Sequence, residues 1–111
     1  MKQITKAVEN MMAKYPLYSQ DGKGDKAVVI AKFFNPHGDQ SWYILEAGPV
    51  ENGDRELFVL SASSYGLEYG YMMLSDLTDT RVRVWGHMMP LERDLHFKGT
   101  VADAKRDAGV A

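Results

Sequence analysis

The chain has 111 residues, 45% of them hydrophobic and 25% charged, with a formal net charge of −2. This balance builds one globular domain and excludes disorder over the whole length. The small negative charge excludes a broad basic footprint for phosphate-driven DNA binding, and the absence of cysteine excludes disulfides, thiolate metal sites and a cysteine nucleophile.

The stretch from Met1 to Met12 carries Lys2, Lys6 and Glu9 and has no apolar run of signal-peptide type,. No apolar segment reaches the length of a membrane span, so the reading is a cytoplasmic protein without a membrane partner. Ala7, Val8, Met11, Met12 and Tyr15 recur at helical spacing, which predicts an amphipathic helix over residues 5–14. Thr5 is its expected N-cap and Pro16 its stop. Ser19 to Asp25 is a polar glycine-containing loop that lacks the Gly-Lys-Ser/Thr ending of a phosphate-binding loop,.

β-Branched and aromatic residues from Ala27 to Phe34 predict a central first strand,. Asn35-Pro36-His37-Gly38-Asp39 is a turn, and Ser41 to Ala47 a second strand. Strict alternation in that strand sets Trp42, Ile44 and Glu46 on one side and Tyr43, Leu45 and Ala47 on the other. Asn52-Gly53 is a strong hairpin signal before a third strand from Arg55 to Ala62,. A fourth strand runs from Tyr69 to Leu74, and Ser75 is the expected cap of a short helical turn through Leu77,. Arg81 to Trp85 is a short strand, Gly86 to Pro90 a loop, and Arg93 to Phe97 a last strand. Residues 1–98 form the domain, and residues 99–111 read as a tail, flexible or a frayed helix,. One helix followed by hairpin-joined strands is an α+β fold: an antiparallel sheet of about four to six strands, the N-terminal helix across one face, and a helical turn after the fourth strand.

No catalytic motif stands out. The histidines His37, His87 and His96 are scattered over three elements without a metal-binding spacing,, and nothing calls for a metal or a cofactor. Glu46, Glu68, Glu92 and Asp94 are carboxylates whose convergence a hydrolase would need. Glu68, Arg93, Asp94 and His96 are the polar cluster to test, with Asp94 and His96 expected on one face of the last strand. A sheet covered on one face leaves the other partly open, where Trp42, Tyr69 and Tyr71 can anchor a protein or stack bases. Trp85, His87, Met88 and Met89 form an apolar run suited to an adaptable contact surface,.

The order of these pieces resembles that of a bacterial family of small proteins, the domain of unknown function numbered 2958. The features that carry the resemblance begin with the Thr5 helix ending at Tyr15-Pro16, followed by Ala31-Lys32-Phe33-Phe34-Asn35-Pro36 and Ser41-Trp42-Tyr43 with its trailing Glu46. Leu67-Glu68-Tyr69-Gly70-Tyr71 then runs into Leu74-Ser75-Asp76-Leu77, and Leu91-Glu92-Arg93-Asp94-Leu95-His96-Phe97 closes the pattern. The likeness spans residues 4–98,. The chain departs from it at Arg81 to Met89, where Trp85, His87 and two methionines stand in place of a plainer glycine-proline loop.

The resemblance implies cargo of plasmids, phages and integrative elements, and it brings no catalytic residues. Its first functional expectation is a non-enzymatic binding protein acting on a host protein or nucleoprotein complex, such as a restriction or CRISPR defence system. The alternatives are a hydrolytic enzyme using Glu68, Asp94 and His96, and single-stranded nucleic-acid binding through Trp42, Tyr69 and Tyr71, which the net charge does not favour. A homodimer and a monomer both fit a half-open sheet.

Overall fold

The computed structural model describes residues 4–109; Met1 to Gln3, which belong to the segment weighed above as a leader, and the last two residues of the expected tail lie outside them. Helix α1 (Lys6–Lys14) begins at Thr5, whose extended backbone lets its hydroxyl accept the Val8 N–H at 3.3 Å,. Val8 and Met12 are buried, Met11 and Tyr15 half-buried, while Ala7 is exposed. Beyond α1 come β1 (Ala31–Phe34), β2 (Ser41–Ala47), β3 (Glu56–Ser63), β4 (Gly66–Met73), α2 (Leu74–Thr78), β5 (Arg81–Val84), β6 (His87–Pro90), β7 (Glu92–Arg93) and α3 (Val101–Asp107).

The main sheet is antiparallel in the order β4-β3-β2-β1-β7, and β5 and β6 pair separately as a hairpin. The fold is thus α+β with an antiparallel sheet, an N-terminal helix on one face and a short helix after the fourth strand. Asn52 and Gly53 turn β2 into β3 with φ of 53° and 77°. Both values are positive, as the tight two-residue hairpin turn requires, and Asn-Gly adopts them at least cost.

Five local expectations change. Residues 27–29 leave the β2 ladder because they pair instead with the chain before α3: Val29 N–H bonds Gly99 C=O and Val101 N–H bonds Ala27 C=O, while the Ile30 N–H still donates to the Ile44 C=O of β2. The expected Ser75 cap is replaced, since the Ser75 hydroxyl and N–H both go to Asp54, while the Asp76 carboxylate accepts the Met73 N–H at the start of α2. Residues 87–90 form a strand where a loop is expected, because Trp85 and Gly86 take positive φ and close a hairpin. The last strand stops at Arg93, because the Asp94 carboxylate draws the His96 and Phe97 N–H groups into a turn at 2.8 and 3.1 Å,. The expected tail contains α3, whose Val101 and Ala104 are fully buried.

The sheet therefore has two covered faces. On one, Val8 and Met12 of α1 pack with Phe33, Ile44, Leu57, Val59, Leu77 and Leu91. On the other, Val101 and Ala104 of α3 pack with Val29, Tyr43, Leu45 and Leu60. The outer part of the second face, around Phe58, Tyr69 and Tyr71, stays open.

A β-bulge between Ile44 and Glu46 in β2 breaks the simple alternation: Ile44 lies opposite Val59, and Glu46 already lies opposite Phe58,. Ala47 is thereby moved to the Ile44 face, and Glu46 to the face of Phe58, the reverse of strict alternation. Glu46 is 1% exposed. Its two carboxylate oxygens accept the Tyr18 and Gln20 N–H groups at 2.7 and 2.8 Å. Gln20, also buried, donates its side-chain amide to the Val28 and Leu45 carbonyls and accepts the Val28 N–H. The loop after α1 is tied to β2 through these polar contacts, which also hold Tyr18 at a φ of 71°.

Glu46→Ala leaves two backbone donors without acceptors, that of Gln20 buried and that of Tyr18 part-buried. We expect a loss of about 3 kcal/mol of stability in urea titrations, with Glu46→Gln losing less because one acceptor survives.

Candidate functional site

The β5–β6 hairpin is a largely exposed element, with every residue of β6 at the surface. Arg81 lies opposite Pro90, Val82 opposite Met89, Arg83 opposite Met88 and Val84 opposite His87. Val82 packs against the core on the α1 side, and Val84 is half-buried on the same side of the ribbon. Alternation then turns Arg81, Arg83 and Met88 outward together. The Arg81 guanidinium donates to the Thr78 and Thr80 carbonyls at 2.8 and 3.0 Å, which fixes it at the end of α2. Among the described residues Arg83 has no ion pair, and Arg81 to Pro90 contains no Asp or Glu.

The hairpin tip is Trp85-Gly86, with φ of 50° and 84°. This repeats the backbone of Asn52-Gly53 at φ 53° and 77°, but with a bulky aromatic where asparagine stands in the other turn. An ordinary L-residue in this conformation costs about 1–2 kcal/mol, and asparagine less. Trp85 recovers none of that by packing, since it is 97% exposed. Met88 and Met89 are exposed beside it, as is His87. Of the residues expected to bind a partner, Trp85 and Met88 are brought together at the tip and outer face of the hairpin, whereas His87 and Met89, opposite Val84 and Val82, lie on its other face. Arg81 and Arg83 join the outer face unforeseen, although their two-residue spacing in an acid-free stretch signals a shared strand face.

The other candidates separate. Trp42 packs on the α1-side core, whereas Tyr69 and Tyr71 sit on the opposite face with Phe58, at ring centroid distances of 5.7 and 5.0 Å. The three aromatics do not make one stacking platform. Glu68 is on β4, at one edge of the sheet, and Asp94 follows β7, at the other. Four strand spacings, about 19 Å, divide them. His96 is exposed, and the turn takes it off the strand on which it would have shared a face with Asp94.

Asp94 has a structural role. It caps the turn and faces Lys32 at 3.4 Å, and Lys32 also meets Asp107 of α3 at 2.6 Å. Burial raises the Asp94 pKa, but the His96 N–H, Lys32 and the Phe97 N–H outweigh it and hold the carboxyl below the usual range. The Tyr43 hydroxyl donates to Asp107 at 2.7 Å, and burial together with that carboxylate drives its pKa upward. Arg93 lines a cavity of about 550 Å³ between α1 and the chain before α3, with Met11, Ile30, Leu95 and Phe97 among its walls. The size suits a small molecule, but the walls offer no nucleophile paired with a base. Among the described residues, no three of His, Cys, Asp and Glu converge as a metal site would need.

No described helix is long and apolar enough to cross a membrane. Residues 3–105 match the model of the family described as Protein of unknown function (DUF2958). No curated protein and no solved structure matches the chain.

If Trp85 is held in a costly conformation for contact, Trp85→Asn should leave the thermal midpoint unchanged or raise stability by up to about 1 kcal/mol. A drop in midpoint would assign the tryptophan a packing role.

Proposed function

The chain belongs to the DUF2958 family of proteins of unknown function, and from that premise we propose that it is a non-enzymatic binding protein whose contact element is the β5–β6 hairpin. The observation that carries the reading is Trp85: fully exposed and in a backbone conformation that disfavours it. A tryptophan presented in this way supplies large contact area at little cost in side-chain entropy. Arg83 adds a cation near it and Arg81 a second one toward the base of the hairpin, and the methionines add adaptable apolar surface,.

The partner surface is therefore anionic with an apolar pocket for the indole. The net charge of −2 weighs against a long polyanion and favours a compact acidic patch on a protein, where a few charges steer the approach and one aromatic anchor carries the affinity. The resemblance supplies the setting of this proposal: a mobile element whose small product occupies a host protein or nucleoprotein complex, with a restriction or CRISPR effector as the target class.

The test compares tagged wild-type protein with Trp85→Asn and Arg83→Glu in capture from bacterial lysate, with and without nuclease. The expected result is a stoichiometric protein partner that survives nuclease and is lost, by tenfold or more (about 1.4 kcal/mol), with either folded variant. Equal capture by the variants would remove the hairpin from the account. Recovery abolished by nuclease would move the partner to nucleic acid.

A further inference from the structure

The two edges of the main sheet are built differently. At one, β7 has two residues, Glu92 and Arg93, both charged; a short charged strand is a standard defence against edge pairing. At the other, β4 runs eight residues from Gly66 to Met73. It contains no proline or lysine, its pairing with β3 has no bulge, and no described strand pairs with its outer side.

The hydrogen-bond phase of that edge follows from neighbouring contacts. Leu74 N–H donates to Arg55 C=O at 2.8 Å, extending the register in which Met73 faces Glu56. Bonded and non-bonded pairs alternate along an antiparallel ladder. Met72, Gly70 and Glu68 therefore bond back to β3, while Leu67, Tyr69, Tyr71 and Met73 point their N–H and C=O groups away from it. The Met73 N–H is met by the Asp76 carboxylate at 3.0 Å, which agrees with this phase. The main-chain N–H groups of Leu67, Tyr69 and Tyr71 have no partner among the described residues.

We propose that β4 pairs antiparallel with β4 of a second copy of this chain, extending the sheet across a two-fold axis near Gly70. A row of alternating donors and acceptors is satisfied by another strand, and this strand is complementary to itself. In the register centred on Gly70, Tyr69 lies opposite Tyr71 of the second copy, and the two exchange both main-chain bonds. Aromatic pairs directly across strands add to the pairing. Glu68 then faces Met72 rather than its own counterpart, so no like charges are opposed. The half-exposed Phe58, Tyr69 and Tyr71 clusters of the two copies become one aromatic surface. The hairpin takes no part, so this inference stands apart from the binding reading.

Sedimentation velocity over a wide concentration range, with amide hydrogen exchange read at single residues, tests the proposal. The expected result is a species of twice the 12.5 kDa chain mass that grows with concentration. The Leu67, Tyr69 and Tyr71 amides should gain protection in step with it. Tyr71→Pro removes an outward donor and no bond to β3, so it should weaken association about tenfold or more, while Trp85→Asn leaves it unchanged. Should Tyr71→Pro fail to fold, the exchange measurement on the unaltered chain decides. A single-chain mass at every concentration, or a dimer whose Tyr69 and Tyr71 amides stay unprotected, would overturn the proposal.

Discussion

A carboxylate buried with no ion pair among the described residues organises this domain. Glu46 sits where β2 bulges, and its two oxygens are met by backbone N–H groups of Tyr18 and Gln20. Removing that charge from water is costly unless its lone pairs are filled, so the loop after α1 has to close over it. Closure places Gln20 between Val28 and Leu45, and this holds the segment that pairs with the chain leading into α3. The same bulge turns Ala47 toward α1. A single polar position thus couples the loop, the helix on one face and the route to the helix on the other.

Each face of the sheet carries a packed helix. Of the carboxylates whose convergence a hydrolase needs, Glu46 is spent on backbone donors and Asp94 on a turn and Lys32; Asp54, outside that set, is held by Ser75 and the Arg55 N–H, the hydroxyl of Ser75 doing most to hold its pKa down. What remains unspent is at the surface. The two tight turns make the contrast within one molecule. Asn52-Gly53 uses the residues its backbone prefers, and Trp85-Gly86 carries an exposed indole on the same backbone. The first is explained by folding alone, whereas folding alone does not explain the second.

The elements legible in the sequence are those whose signals are local. Thr5 and Pro16 bracket α1, the alternation from Ser41 marks β2, and Asn52-Gly53 marks the hairpin to β3. The bulge was not legible, because a charged residue one place out of phase looks like ordinary alternation until its buried partners are known. The docking of α3 depends on Val101 and Ala104 meeting Tyr43 and Leu60, a match over long sequence distance that a short charged helix does not advertise. The strand from Arg81 was legible by alternation, but the return strand His87–Pro90 was not, because tryptophan is a poor residue for the turn that joins them. Asp94 and His96 were set on one strand face by periodicity, and the side chain of Asp94 ended that strand.

Native-state hydrogen exchange of the Tyr18 and Gln20 amides is the most direct measurement of the organising role assigned to Glu46. Both belong to a loop by sequence, and loop amides exchange through local opening at little free-energy cost. If Glu46 couples this loop to the sheet, they should be protected to nearly the same free energy as the buried amides of β2 and β3. The β5–β6 hairpin should open well below that level. Fast exchange at Tyr18 and Gln20, at the rate of the hairpin or faster, would contradict the account.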